Sequence, residues 1–369
     1  MFKTNIGCAI FAQNRANLLQ MSDQYRIKRK IIIICFLFIA AISSGAFIGY
    51  NIWQRLFLPN TAFSEKEKSI YIHTGWEFKD VAKALTDSSL IKNTEWFEWT
   101  AEKMKYTNVK PGRYVLNNGM DNKNIVELLR AGKQTPVKVV FHNIRTPEQL
   151  SGIISAQIEA DSLSILSVLK DSVLLAGYSL TPATVFTMII PNTYEFYWNT
   201  SANGFIERMY KEYETFWNED REQKRKNLEM SRIEVSALAS IIEEETQQNA
   251  EKPRMAGTYL NRLRIGMPLQ ADPTIKFALG DFSLRRILFE HLEVVSPYNT
   301  YMHAGLTPGP ICMPSIASIQ SVLNAEKNNY LYFCAKEDFS GYHNFARTLA
   351  EHSRNARIYQ AALNKAAIY

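Results

Sequence analysis

Cysteine and paired histidines are scarce in this sequence. Only four of its 369 residues are cysteine, no two of them form a Cys-x-x-Cys motif, and the six histidines include no His-x-x-x-His pair. Zinc sites commonly use such spacings. The sequence therefore predicts neither a metal site nor a cofactor. Cys312 and Cys334 are two isolated cysteines in a large domain, which favours buried thiols, although a disulfide between them stays open.

A basic excess is also missing from most of the chain. The formal charge of +6 comes from 42 Lys and Arg against 36 Asp and Glu, but residues 1–30 alone hold six basic residues and one Asp. The remainder is close to neutral. Sequence-independent binding to phosphates needs a clustered basic face, and no such cluster follows residue 30. The composition argues against nucleic acid as a partner.

The sequence contains one long apolar run. Residues 31–50 contain no charge, and a helix of this length crosses about 30 Å of hydrocarbon. Bulky aromatic residues close the run and fit a signal-peptide cleavage site poorly, so we predict a retained transmembrane helix. Basic residues just before the run put segment 1–30 in the cytoplasm and the rest outside. Everything that this topology needs follows Met21, and the true start, Met1 or Met21, stays open.

The exported part divides at a helix-start signal. We predict a linker over 51–68 and a small α+β module over 69–142, which opens on an alternating strand pattern at 69–73. The segment Thr146-Pro-Glu-Gln149 has the pattern of a capping box with proline at the first helical position. A new domain therefore begins near that point, and we predict a larger mixed α+β domain over 143–369.

A glutamate lies on the apolar side of a predicted helix in this larger domain. At about 100° per residue, Leu238 and Ile241 share one side of the helix with Glu245. Glu244 points away from that side, and Glu243 lies at its margin. Burial raises the pKa of a carboxyl group, which is the property that a general acid needs near neutral pH. Glu245 is the candidate acid, unless it merely ends the stripe and pairs with a basic residue.

A stiff polar loop follows the next helical pattern. The pattern stops at Gly266, and Gln270, Asp272 and Thr274 then alternate in a segment that also contains two prolines. Prolines reduce the entropy that a loop loses when it binds a ligand. These side chains are candidates for binding a polar ligand, and a capped turn is the alternative.

The segment 239–274 resembles the signature of the YceG-like (MltG) endolytic murein transglycosylases. In that family the catalytic glutamate is the second acidic position of a Glu-x-Glu-Thr segment, which corresponds to Glu245 rather than Glu243. The helical geometry selects the same residue independently. Further matching segments are Pro191-Asn-Thr-Tyr-Glu-Phe196, Ser296-Pro-Tyr-Asn-Thr-Tyr301, Gly305-Leu-Thr-Pro-Gly-Pro310, Tyr330-Leu-Tyr-Phe333 and His343-Asn-Phe345.

The resemblance implies further site residues. It puts Tyr298, Asn299 and Tyr301 at the substrate cleft, with His343 as a polar wall. Secondary candidates are Glu243, as the rival catalytic residue, Asn261 and Tyr194.

The resemblance also implies a LysM-like fold for the small module and therefore contact with glycan chains. Four aromatic residues there could stack on sugar rings or pack in the core, and the sequence leaves both roles open. They are Trp76, Trp96, Trp99 and Tyr114. Two positions depart from the family pattern: Asn192 replaces a frequent aspartate, and the segment Cys312-Met-Pro-Ser315 replaces a usual Asn-Pro-Gly. The second departure affects substrate preference more than catalysis.

The implied reaction fits a single carboxyl group. Ordinary glycosidases need two carboxyl groups, whereas a lytic transglycosylase lets the C6 hydroxyl of N-acetylmuramic acid attack its own anomeric carbon. Glu245 then acts as acid and base, and the product is a 1,6-anhydro end. Two alternatives stay open: a hydrolytic muramidase that uses Glu245 with Asp272, and a non-catalytic, membrane-tethered glycan-binding protein.

The family's biology implies the location and the partners. The chain is expected in the cytoplasmic (inner) membrane as a single-pass protein, with its catalytic domain on the periplasmic face. Peptidoglycan glycan strands and the membrane are the expected partners, and peptidoglycan synthases are candidate protein partners. The residues do not decide between endolytic and terminal cleavage, nor do they report stem-peptide preference or oligomeric state.

Overall fold

The N-terminal apolar run lies in one long helix. The computed structural model describes residues 4–284 and 286–366. Residues 1–3, 285 and 367–369, which belong to the predicted cytoplasmic segment and catalytic domain, lie outside the described residues. Helix α1 is Thr4–Phe57. Its part Lys28–Phe57 is, within the described chain, the one helix long and apolar enough to cross a membrane, and its apolar run is fully exposed.

The chain divides into two units, and the first runs through Gln134. Its sheet pairs β1 (Glu67–Ile72) with β2 (Gly112–Asn117) in antiparallel register. Its further helices are α2 (Phe78–Asp87), α3 (Thr94–Lys103) and α4 (Asn122–Ala131). Alternate strand residues and one face of each helix form a single hydrophobic core. This core includes Ile70, Ile72, Tyr114 and Leu116 from the strands and Val81, Leu85, Phe97 and Ile125 from the helices.

The segment 51–68 is part of this unit rather than a linker. The end of α1 is tied to α3 and α4, because the carbonyl of Arg55 accepts hydrogen bonds from the Asn122 amide (2.8 Å) and the Thr100 hydroxyl (3.3 Å). Asn60 then donates to the side chain of Asn122 at 2.7 Å and is itself buried. Buried polar groups need partners, and these bonds fix the segment before β1 begins.

The candidate sugar-stacking aromatic residues of this unit differ in exposure. Tyr114 is completely buried and belongs to the core. Trp76 and Trp99 line a cavity of about 950 Å³ together with Tyr106. The core alternative therefore applies to Tyr114, and stacking stays open for Trp76, Trp99 and the half-buried Trp96.

The second unit begins at Thr135. Strand β3 (Val137–Val140) pairs antiparallel with β4 (Thr193–Phe196). Because β4 lies deep in the second unit, β3 belongs there as well, and the division falls after Gln134 rather than at the expected residue 142. Thr146 caps the next helix by accepting a hydrogen bond from the Gln149 backbone N–H, as the capping pattern predicts.

Helices dominate the second unit, and the predicted α+β class is confirmed. In chain order they are α5 (Pro147–Ser155), α6 (Ser162–Lys170), α7 (Ser172–Ala176), α8 (Ala202–Phe216), α9 (Glu219–Asn227), α10 (Arg232–Glu245), α11 (Lys252–Arg264), α12 (Asp272–Leu279), α13 (Ile316–Leu323) and α14 (Leu349–Lys365). A hairpin of β5 (Tyr332–Ala335) and β6 (His343–Ala346) precedes the last of them. Short 3-10 turns lie at Val185–Thr187 and Phe289–Glu293.

Helix α10 is the central element of this unit. Every residue from Val235 to Ile242 is buried, so the helix is enclosed on all sides by its neighbours α11, α12 and α13. A helix that is apolar all round is typical of a protein core. Its C-terminal end carries the three consecutive glutamates, and the core therefore fixes the position of each carboxyl group.

Candidate active site

Glu245 ends helix α10 and is half-buried. Its Oε1 accepts a hydrogen bond of 2.7 Å from the hydroxyl of Tyr259, which lies on α11 and is completely buried. Thr246 follows with an extended backbone and stops the helix. One carboxyl oxygen of Glu245 is thus held by a rigid donor.

The surroundings of Glu245 favour its protonated form. Burial raises its pKa to about 7, and the negative charge of Asp272 acts in the same direction. The Tyr259 hydrogen bond and the positive charges of Arg262 and Lys276 lower it, but burial outweighs them. A carboxyl group with this pKa is a suitable proton donor and acceptor near neutral pH.

The two neighbouring glutamates have other partners. Glu244 forms a bidentate ion pair with Arg145, with N–O distances of 3.0 and 2.8 Å. Glu243 Oε2 accepts hydrogen bonds from the hydroxyls of Ser315 and Ser318, both at 2.5 Å.

Lys252 adds an ion pair to Glu243 at 3.1 Å. Burial raises the pKa of Glu243, but the two serine hydrogen bonds and Lys252 together lower it below its ordinary value. Glu243 is therefore a charged structural group, and the geometry favours Glu245 as the proton donor.

A cavity of about 320 Å³ adjoins Glu245. It brings three of the sequence-predicted residues together with Glu245, namely Gln270, Asp272 and Tyr301. The Tyr301 hydroxyl donates a hydrogen bond of 2.5 Å to Asp272 Oδ1. Burial and this bond raise the pKa of Tyr301 well above its usual value, so its proton stays in place. The cavity thus combines a neutral acid with a fixed carboxylate.

The loop before α12 is held by buried hydroxyl groups. The backbone of Gln270 is left-handed, with φ +49°, and its N–H donates to the carbonyl of Thr300 at 3.0 Å. Thr274 donates to the Ala271 carbonyl at 2.7 Å and shares a 2.8 Å hydrogen bond with the Thr300 hydroxyl. Thr274 is completely buried. Its hydroxyl is engaged within the protein and it is not among the residues that line the cavity, so its contact with a ligand stays a prediction.

Asn299 and Tyr298 lie outside the lining of this cavity. The Asn299 amide donates to the carbonyls of Leu292 and Val294 at 2.8 and 2.9 Å, and the side chain is completely buried. The ring of Tyr298 is half-buried and packs on Phe277, with the centroids 4.6 Å apart. Their contact with substrate stays a prediction.

The remaining predicted residues have hydrogen-bond partners within the protein. His343 Nδ1 lies 2.7 Å from Oε1 of the buried Glu251, which also accepts from the Thr246 hydroxyl at 2.7 Å. This network fixes β6 to the end of α10. The Asn261 amide bonds to the carbonyl of Tyr330, and the Tyr194 hydroxyl bonds to a carbonyl within the core. None of the three predicted side chains lines the cavity of Glu245.

Tyr259 and Arg262 are functional candidates that the sequence reasoning missed. Arg262 is buried and donates to the carbonyls of Leu331 and Leu269 at 2.6 and 2.5 Å, which joins β5 to the loop before α12. Residues three apart share a helix face. In the sequence, the only indication of these two residues is a tyrosine and an arginine three positions apart just before the polar loop.

The far wall of the cavity also comes from residues without a prior role. They are Tyr332, Phe333, Leu349 and His352. The last two lie one turn apart at the start of α14 and therefore face the same side. Tyr332 and Phe333 belong to a segment that matches the family pattern, whereas no local pattern indicated Leu349 and His352.

Cys312 and Cys334 are not joined by a disulfide in the structure. Cys312 is buried with its Sγ 3.5 Å from the Ser240 carbonyl, and Cys334 lies on β5. Both are free thiols. Within the described residues no group of three His, Cys, Asp or Glu side chains is arranged for a metal ion.

The chain is similar to proteins of known sequence and structure. It is 29% identical to the endolytic murein transglycosylase of Bacillus subtilis, over 88% of this chain and 92% of that protein. It is 27% identical to the endolytic murein transglycosylase of Streptococcus pneumoniae, over 88% of this chain and 64% of that protein. A crystal structure of a yceG-like protein from Listeria monocytogenes aligns with a TM-score of 0.54 and 30% identity, covering 79% of this chain and 99% of that one.

The family assignment rests on a match along most of the chain. The profile of the YceG-like family matches residues 70–358, which include both units and every residue of the cavity described above. This confirms the family predicted from the Glu-x-Glu-Thr segment. The chain belongs to the YceG-like family.

Proposed function

We propose that this protein is a membrane-anchored endolytic transglycosylase of peptidoglycan and that Glu245 is its general acid and base. One observation carries the proposal: Glu245 is a half-buried carboxyl group with a pKa of about 7 beside a polar cavity. The relatives from Bacillus subtilis and Streptococcus pneumoniae, both named endolytic murein transglycosylases, supply the substrate class.

The reaction moves two protons through Glu245, one to the leaving group and one from the attacking hydroxyl. Glu245 first donates its proton to the glycosidic oxygen as the bond from that oxygen to C1 of N-acetylmuramic acid breaks. The C6 hydroxyl oxygen of the same sugar then bonds to C1, and its proton passes to Glu245. The product is a 1,6-anhydro end, and no water is consumed. Since Tyr259 holds Oε1 of Glu245, Oε2 is the oxygen that exchanges the proton.

Asp272 supports the charge that develops on the sugar. The transition state is oxocarbenium-like and carries positive charge near C1, which a fixed negative group stabilises. Asp272 lines the same cavity as Glu245, and the Tyr301 hydrogen bond holds its carboxylate in one orientation. The same proximity favours a second candidate, a hydrolytic muramidase in which Asp272 is the second carboxyl group.

The anchor and the small unit complete the proposal. The apolar helix Lys28–Phe57 is retained as a membrane anchor, with the basic N-terminal segment in the cytoplasm and the catalytic domain on the periplasmic face of the inner membrane. The chain order of strand, helix, helix and strand in β1, α2, α3 and β2 supports a LysM-like module. Trp76 and Trp99 are its candidates for stacking on glycan rings.

Product masses test the reaction. The full-length protein in detergent is incubated with uncrosslinked glycan strands, as wild type, as Glu245→Gln and as Glu244→Gln. The last variant is a matched control, because Glu244 lies one position away on the same helix and pairs with Arg145. The wild type and the control are expected to release internal fragments with 1,6-anhydro ends, and Glu245→Gln is expected to release none.

Three results would change the proposal. Products one water heavier would make the protein a muramidase and direct attention to Asp272. Cleavage only from strand ends would remove the endolytic part. Glycan binding without cleavage by the wild type would identify a tether rather than an enzyme.

A further inference from the structure

His352 lines the cavity of Glu245 but has no part in the proton transfers described above. It lies in the first turns of α14, and its ring stacks on Tyr332 with the centroids 5.3 Å apart and the planes inclined by 21°. Stacking on a neighbouring ring fixes the plane of the imidazole. A polar side chain is thus held rigidly in the wall that faces the catalytic acid.

The two ring nitrogens of His352 differ in their surroundings. Nδ1 is buried and has no hydrogen-bond partner among the described residues. A buried N–H without a partner is rarer in proteins than a buried acceptor without one. The single proton of the neutral ring therefore lies on Nε2, and Nδ1 is the unprotonated nitrogen.

The charged neighbours keep the ring neutral. Burial lowers the pKa of His352, and the positive charge of Arg262 on α11 lowers it further. The other titratable groups around the cavity are Glu245 on α10, Asp272 on α12 and Tyr332 on β5. The ring is thus a neutral donor at physiological pH.

Several donors in or beside this cavity are already engaged, and the side chains of Gln270, Tyr332 and His352 are the lining donors without a described hydrogen bond. The Tyr301 hydroxyl donates to Asp272, and Arg262 donates to two backbone carbonyls. The Tyr259 hydroxyl donates to Glu245. Nε2 of His352 forms none of the described hydrogen bonds, so its N–H is available to a ligand.

We propose that the Nε2–H of His352 donates a hydrogen bond to the acetamido carbonyl oxygen of an amino sugar bound beside Glu245. The inference rests on the proposed function and adds a determinant of substrate choice. An amide carbonyl is the strongest uncharged acceptor on an N-acetylated sugar, and a neutral donor suits it. The residue therefore selects N-acetylated strands over strands that carry free amines.

Two substitutions separate the ring nitrogens. In His352→Gln the side-chain amide reaches the position of Nε2 and keeps a donor there, whereas in His352→Asn the shorter amide takes the position of Nδ1. If the donor at Nε2 recognises the acetamido group, the Gln variant keeps the preference for N-acetylated sites. The Asn variant loses it by roughly 3- to 10-fold, the effect of one neutral hydrogen bond.

The test uses internal competition on one substrate. Full-length wild type and both variants in detergent cleave the same pool of partly de-N-acetylated glycan strands, and mass spectrometry scores the acetylation of the sugars at each new end. This ratio does not depend on how much of each variant is folded. The wild type is expected to cut mainly at N-acetylated sites, and the Asn variant to cut at both kinds more evenly.

The remaining outcomes are distinct. A wild type without preference, or an Asn variant that keeps the full preference, would overturn the inference. So would a Gln variant that loses the preference while the Asn variant keeps it, because Nδ1 would then be the important atom. A wild type that cuts no strand at all would instead contradict the proposed function itself.

Discussion

Tyr259 controls how readily Glu245 gives up its proton. Its hydroxyl donates to Glu245 Oε1 at 2.7 Å and lowers the pKa of a carboxyl group that burial raises to about 7. Tyr259→Phe removes this donor and keeps the buried ring. The pKa of Glu245 is therefore expected to rise in the variant, because the charged form loses more than the neutral form does.

The size of the shift follows from the two forms of Glu245. A hydrogen bond to a charged group is worth about 1.5–3 kcal/mol, and one to a neutral group about 0.5–1.5 kcal/mol. The difference is about 1–1.5 kcal/mol, and 1.36 kcal/mol corresponds to one pKa unit. Tyr259→Phe should thus move the pKa of Glu245 upward by about one unit.

The pH dependence of strand cleavage measures this shift. Activity needs protonated Glu245, so kcat/KM falls as the pH rises through its pKa. In Tyr259→Phe this alkaline limb should move upward by about one pH unit, as read from initial rates between about pH 5 and 9 in matched buffers. Tyr178→Phe is the control, because Tyr178 packs on Tyr210 and does not line the cavity.

A limb that stays in place, or moves to lower pH, would refute the reasoning, provided that the variant unfolds at the wild-type temperature. It would mean that the limb reports another group. A lower rate at all pH values with an unmoved limb would assign Tyr259 to positioning Glu245 alone.

Three other substitutions concern buried polar groups. Glu245→Gln should raise the unfolding temperature above pH 7 but not below pH 4.5, because ionising a group whose pKa rises from 4.5 to about 7 on folding costs the folded state about 3 kcal/mol at high pH. Thr274→Val should cost about 1–3 kcal/mol in urea unfolding, since it removes the buried hydrogen bonds of the Thr274 hydroxyl to the Ala271 carbonyl and to the Thr300 hydroxyl. Glu243→Gln should cost about 3–5 kcal/mol in the same assay because it leaves Lys252 buried without a counter-charge, while the alkaline limb of the pH profile stays at the wild-type position.

A different result would contradict each of these three predictions. Equal stabilisation of the protein by Glu245→Gln at pH 4 and at pH 8 would show that burial does not raise the pKa of the Glu245 carboxyl group. A Thr274→Val variant as stable as the wild type would mean that water replaces the lost bond. A shifted alkaline limb in Glu243→Gln would return Glu243 to the list of candidate acids.

The sequence predicts the candidate acid better than its surroundings. Helical spacing selects Glu245 among the three glutamates, and the structure has all three half-buried, with Glu243 and Glu244 in ion pairs and Glu245 bonded to Tyr259. Gln270 and Asp272 follow within one loop, and local stiffness indicated their role. These residues are close in sequence, so short-range patterns carry the information.

Residues that support the site could not be assigned in the same way. Thr274 alternates with Gln270 and Asp272 in the sequence, but α12 begins at Asp272 and turns the threonine inward. Asn299 sits in a matching segment, yet its amide closes a loop. A motif records which residues matter and does not distinguish contact with a ligand from contact with the backbone.

The division between the units shows a second limit. The predicted bounds of the small module, 69–142, include the strand Val137–Val140. Its partner is Thr193–Phe196, more than fifty residues later. Strand pairing depends on contacts between distant segments, which local propensity does not report. The segment 51–68 likewise depends on distant contacts, since Asn60 bonds to Asn122.

The late position of β5 and α14 in the chain has a consequence for synthesis. Ribosomes make Glu245 well before Leu349 and His352, which close the cavity beside it. A nascent chain therefore carries Glu245 without this far wall until the hairpin and the final helix have been made. Chains that stop before Leu349 would lack the assembled cavity, so complete synthesis is expected to be a condition for binding a ligand beside Glu245.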